Sequence, residues 1–142
     1  MTDLKPSELA ELIIEKANNI TGTGLKVVKN YLGNNDVDDI RSFAGNSPAL
    51  LVGKITPSNI RQLTAHHDVN IDLDVTLYLY VENKGGASLK RTETDDLLYS
   101  LVSELTVIPK LTLQETNDFA NDKSFYIIQI SYDYQNEIKR RK

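Results

Sequence analysis

The chain has no cysteine and only two histidines. No apolar run approaches the ~20 residues that a membrane-spanning helix needs. The missing cysteine excludes a disulfide framework and a thiolate zinc site. The two histidines, His66 and His67, are adjacent. In an extended segment they point to opposite faces, so they do not share a metal, and a multi-histidine centre within one chain is excluded. Neither is accompanied by a Gly-x-Ser-x-Gly elbow or a suitable carboxylate pair. The residues therefore predict no catalytic, cofactor-binding or metal site, and no enzyme. The opening Met1-Thr2-Asp3-Leu4-Lys5-Pro6 has no apolar signal core. Export by the usual route is not expected, and a cytoplasmic start is. There is no internal repeat, low-complexity tract or interdomain linker.

What remains is an ordinary globular composition. The 142 residues are 40% hydrophobic and 25% charged, which fits one domain, 1–142. A domain of that length buries roughly 70% of its unfolded surface and needs no staple. The formal charge is −4, unevenly spread. Lys139-Arg140-Arg141-Lys142 holds four of the 16 basic residues, leaving the body with 12 basic against 20 acidic residues, a net of −8. Such a body repels a phosphate backbone. Residues 135–142 are expected to be a mobile basic tail.

Helical spacing of Leu9, Ile13, Ala17 and Ile20, with Pro6 at the first position, predicts a helix over about 6–20. Leu25 to Tyr31 reads as a short strand, and Asn34 to Asp39 as an acidic loop that tightens into one helical turn around Ile40 and Phe43. Ala49 to Ile55 is apolar almost throughout, as in a strand covered on both faces. The strongest signal follows. Val69, Ile71, Leu73, Val75, Leu77, Leu79 and Val81 alternate with Asp68, Asn70, Asp72, Asp74, Thr76, Tyr78 and Tyr80. Period-two alternation predicts one long strand over about 67–82 with one buried face. At ~3.3 Å per residue it extends roughly 45 Å, beyond the usual ~17–20 Å. Such a strand either bends or projects one end beyond the body, and a projecting end needs a partner.

Asn83 to Arg91, with Gly85-Gly86, Lys84, Lys90 and Arg91, reads as a flexible basic loop suited to an anion or a neighbouring subunit. Thr94 is placed as an N-cap, and Leu97, Leu98, Leu101, Val102 and Leu105 mark a helix over about 94–105. Leu111 to Glu115 and Phe125 to Tyr134 read as strands. On the latter, Tyr126, Ile128, Ile130, Tyr132 and Tyr134 share one face, while Phe125 and Ile127 show that its start is covered on both sides. The expected fold is α+β: a mostly antiparallel sheet of about 4–5 strands with two main helices packed against it.

Two apparent motifs fail chemically. Asp68 to Asp74 begins like a calcium loop, but Leu73 stands where glycine must make the turn and Leu79 where a bidentate glutamate is required. Gly22-Thr23-Gly24 follows a helix and precedes a strand, the wrong order for a phosphate loop. Asp68, Asp72 and Asp74 are better read as one solvated charged stripe, and after that as one that keeps an edge from pairing or meets a basic partner. Tyr78 and Tyr80 join them as interface candidates, because tyrosine offers both area and a hydroxyl.

The order of elements resembles the tail terminator and tail-completion proteins of contractile or long-tailed phages and their prophages, including the Mu-like type. The features that carry it are the amphipathic first helix, Val27 to Gly33, Ser-Pro-Ala-Leu-Leu-Val-Gly at Ser47 to Gly53, and the long strand at Val69 to Val81. The Gly/Arg loop, the helix from Asp95 to Leu105 and the terminal Ser131-Tyr132-Asp133-Tyr134 complete it. The resemblance implies a homo-oligomeric ring, usually hexameric, that caps the tail tube and joins it to the head connector. It implies a structural protein present in the host cytoplasm during assembly and then in the virion tail. The alternative is a small nucleic-acid- or protein-binding module without catalysis. A nucleic-acid surface calls for aromatic residues beside basic ones, whereas Tyr78 and Tyr80 stand beside Asp72 and Asp74.

Overall fold

A computed structural model describes residues 5–19, 25, 27–31, 33, 36–45, 48–63, 68–82, 91–121 and 125–138. The first helix, α1 (Pro6–Asn18), begins at proline, and the Glu8 carboxylate accepts the Lys5 backbone N–H at 2.8 Å. It buries Leu9, Ile13 and Ala17. Strand β1 (Val27–Asn30) leads to α2 (Val37–Ala44), a full helix where one turn was expected. Asp36 caps it by accepting the Asp38 N–H at 3.3 Å, and Gly45 ends it at a φ of 70°.

Next come β2 (Ala49–Val52), β3 (Thr56–Leu63) and β4 (Asp68–Glu82). Helix α3 (Arg91–Leu105) starts ahead of Thr94, so Thr94 lies inside the helix and is not its cap. Lys110, at a φ of 69°, turns the chain into β5 (Leu111–Asn121), and β6 (Phe125–Ile138) completes the sheet. Residues 135–138 continue β6, which corrects the expectation of a tail from 135. Residues 83–90, His66, His67 and the basic run 139–142 lie outside the described residues.

Among the described residues the sheet has six strands, β1-β2-β4-β6-β5, with β3 also on β4. Only β1 and β2 run parallel. The α+β class and the mostly antiparallel sheet are as expected from the sequence. The third helix and β3 were not foreseen as such. Strands β2 and β3 pair in turn with one edge of β4, Ala49–Val52 against Tyr80–Leu77 and Thr56–Leu63 against Asp74–Asp68. They amount to one interrupted partner strand. At the interruption, Gly53 N–H donates to the Thr76 carbonyl at 2.8 Å. A Cβ on Gly53 would lie 2.7 Å from that same oxygen, so the close approach requires glycine.

One sheet face carries α1 and α3. Leu50, Val52, Leu73, Val75, Leu77, Leu79, Val81, Ile128, Ile130, Tyr132 and Tyr134 are buried there against Leu9, Ile13, Leu97, Leu101 and Leu105. The other face is covered at one end only, where α2 buries Ile40 and Ala44 on Ala49, Leu51, Tyr78, Tyr80 and Ile127. The near-continuous apolar run of β2 follows from this double cover.

Candidate functional site

The backbone register defines an arm. Strand β6 pairs with β4 from Phe125 to Ile138, but β5 accompanies it only as far as Tyr134. Strand β2 leaves β4 after the Val52–Leu77 pair, and β3 takes its place. Strand β3, the first residues of β4 and the last of β6 therefore form three strands that run on past the ends of β2 and β5. On the helix-bearing face the alternation continues from Leu73 to half-buried Ile71, and Ile60 stands opposite Ile71. Ile60 is 63% exposed. Pro57 and the irregular register between Pro57 and Asn59 interrupt the outer edge of β3. Both features discourage indiscriminate strand addition.

The opposite face of the sheet is polar where α2 does not reach. Asp74 on β4 lies directly across from Asp133 on β6, Asp72 across from Gln135, and Thr76 across from Ser131. On β5, Glu115 adds a further carboxylate opposite Ser131. Like charges on opposed strand positions repel, and this surface disfavours polyanions. Among the described residues, no three His, Asp or Glu side chains come together to hold a metal.

Under α2 the packing is aromatic. Tyr31 stands edge-on to Phe43 at 5.0 Å and to Tyr78 at 5.7 Å, and Tyr78 to Phe119 at 5.2 Å. The Tyr31 hydroxyl donates to Asp39 Oδ2 at 3.1 Å. Burial, then this hydrogen bond, pushes Tyr31 up to about 12. Gly33 makes room for the pair, since a Cβ there would collide with the Asp39 carboxylate. The Arg41 guanidinium lies 4.2 Å from the Phe125 ring centre and hydrogen-bonds Tyr80, whose hydroxyl donates to Glu82 Oε2 at 2.7 Å. Burial raises both Tyr78 and Tyr80 above the usual tyrosine range. These contacts rivet α2 to the sheet.

The eight interface candidates from the sequence therefore separate. Asp72 and Asp74 do share the open face, joined by Asp133 and Glu115. Asp68 begins β4 opposite Leu63, at the far end of the arm. Lys84 and Lys90 lie outside the described residues, and Arg91 opens α3 rather than belonging to a loop. Tyr78 and Tyr80 are corrected: both are buried beneath α2 and are unavailable to a partner. Alternation marks them as amphipathic positions on the less apolar face, and only the third helix turns that end of the face into core. Ile60 was missed because it sits alone in a polar segment, and Asp133 because strand register is not written in sequence spacing.

No protein-family model matches the chain, and no curated protein matches it. No helix among the described residues is long and apolar enough to cross a membrane.

Proposed function

We propose that the chain is a structural assembly subunit of the phage tail-terminator kind, which closes into a homo-oligomeric ring on the tail tube and offers a surface to the head connector. The observation that carries this reading is the three-stranded arm. It extends the sheet past the ends of β2 and β5 and holds Ile60 out in solvent. A lone exposed isoleucine needs no explanation. An arm that continues the apolar face of the core from Leu73 through half-buried Ile71 to exposed Ile60 does, and contact with another subunit supplies one. The acidic open face supports the same reading, because a surface that repels phosphates suits a ring through which DNA passes without adhering. Its place is then the host cytoplasm during assembly and the virion tail afterwards.

The test is the mass in solution by light scattering across a concentration series. A defined ring-sized species, or a monomer that assembles as concentration rises, is expected. A strict monomer at every concentration, with no binding to tail tubes, would reject the ring and favour a module that holds a different protein.

A further inference from the structure

The sheet divides the protein into two cores that are held unequally. The main core lies under α1 and α3. The second lies under α2, which buries Ile40 and Ala44 in it and sets Val37, partly buried, beside them. The rest of that second core belongs largely to the sheet, through Ala49, Leu51, Tyr78, Tyr80, Phe125 and Ile127. Those six sit on β2, β4 and β6, which pair with one another through their backbones. Tyr31 also stays with the sheet, because its N–H donates to the Val52 carbonyl at 2.8 Å. Helix α2 takes part in none of these ladders, so lifting it breaks no strand pairing and leaves the main core whole.

The ties that seat α2 lie where water reaches them. Half-buried Asp39 accepts the Tyr31 hydroxyl at 3.1 Å. Exposed Arg41 rests on Phe125 and hydrogen-bonds Tyr80. Phe43, 37% exposed, meets the Tyr31 ring edge-on at 5.0 Å. Polar ties of this kind contribute little each, since water replaces them when they break. A helix of eight residues does not hold its shape without its packing. Elements with few buried apolar contacts are the ones that open first in a native protein.

Glycines stand at both ends of α2. A Cβ on Gly33 would collide with the Asp39 carboxylate and lie 2.7 Å from Tyr31 Cε1. The seated position thus depends on the missing side chain. At the other end the chain leaves α2 through Gly45, at a φ of 70° that favours glycine. Helix α2 spans the crossover between the parallel neighbours β1 and β2, so the sheet keeps hold of both its ends.

We infer that α2 is a cover that opens as a unit on its two glycine-bearing connections while the sheet and the main core stay closed. The open state bares Leu51, Tyr78, Tyr80 and Ile127, an apolar and aromatic area that runs along β4 into the polar face beginning at Thr76. Tyr78 and Tyr80, unavailable while α2 is seated, then reach solvent. This opening stands apart from the assembly reading and does not need it.

Hydrogen exchange and tyrosine nitration on the full chain test it together. The Ile40 N–H, bonded to the Asp36 carbonyl at 2.9 Å, and the Gly45 N–H, bonded to the Arg41 carbonyl at 3.3 Å, report on α2. The amides of Leu77 and Ile130, paired across β4 and β6, report on the sheet. The α2 amides are expected to exchange roughly a hundredfold faster than those of the sheet. With tetranitromethane, Tyr99, 72% exposed, sets the fast limit and Tyr132, in the main core, the slow one. Tyr78 is expected to react at a rate between them. Gly33→Ala is expected to raise both α2 exchange and Tyr78 nitration about tenfold, as loss of the Tyr31–Asp39 hydrogen bond would, with the sheet amides and Tyr132 unchanged. Asp39→Ala, with the same expectation, replaces it should Gly33→Ala fail to fold. Exchange of α2 no faster than that of the sheet would overturn the cover. So would fast α2 exchange with Tyr78 as slow as Tyr132, which means a helix that frays in place, or a variant whose two rates match the parent.

Discussion

The Tyr132 hydroxyl is buried in the main core without a hydrogen-bond partner. An unsatisfied buried group costs about 1–3 kcal/mol, so Tyr132→Phe is expected to raise stability by about 1 kcal/mol in a urea titration. The same burial pushes its ionisation up to about 12. The folded chain thus holds this proton more tightly than the unfolded chain, whose tyrosine titrates near 10. The stabilisation is full below pH 10 and is lost as pH rises from there through about 12. Tyr132→Phe should accordingly flatten the alkaline fall in melting temperature, leaving the share that Tyr31, Tyr78 and Tyr80 contribute. Gly53 marks the opposite kind of position. Its absent side chain permits the 2.8 Å hydrogen bond to Thr76. Gly53→Ala sets a methyl group against a backbone oxygen that cannot swing away, and a loss of about 1–3 kcal/mol by chemical denaturation is expected. Nothing in the spacing around Gly53 distinguishes it from a turn glycine.

Among the elements, those with one buried face were legible. Strand β4 runs from Asp68 to Glu82, against an expected span of about 67–82, because its alternation and its burial coincide. The apolar run of Ala49 to Val52 and the paired Phe125 and Ile127 pointed correctly to an end covered twice. Strand β3 was not legible. In Thr-Pro-Ser-Asn-Ile-Arg-Gln-Leu the apolar residues show no period of two, Thr56, Pro57, Ser58 and Ile60 are exposed, and pairing with β4 makes the segment a strand. The far ends of β5 and β6 were also underestimated: β5 continues along β6 to Asn121, with Phe119 and Ala120 packed against the core beneath α2, and β6 continues along β4 to Ile138. The polar face has its own energetics. Asp74 is exposed and stands across from Asp133, so Asp74→Asn is expected to stabilise by a few tenths of a kcal/mol. The gain should shrink as salt is added, because screening already weakens the repulsion, and melting curves at low and high ionic strength would show it.

For the whole molecule, self-association should be visible as mass action. If the arm seats on a second copy only when both are folded, the melting temperature of the parent rises with protein concentration. That of Ile60→Asp is expected to stay level, and scanning calorimetry over a hundredfold dilution series reads the difference. The connectivity of the sheet also bears on how it is made. Two long hairpins are built from near neighbours, β2–β3 with β4 through residues 64–67, and β5 with β6 through 122–124. The seam that unites them pairs Val69–Glu82 with Ile138–Phe125, and α3 must fit inside that span. Hairpins close in roughly 1–10 μs, while the distant pairing of β4 with β6 must pay a larger loop entropy. The rate of folding is therefore set at that seam. Leu77→Ala, in the buried middle of it, is expected to slow refolding in stopped-flow mixing, whereas substitutions at Ile60 leave that rate unchanged. The β3–β4 part of the arm is a near-neighbour hairpin and forms early, while its β6 strand joins only as the seam closes, so a newly made chain offers the whole arm only once its sheet is complete.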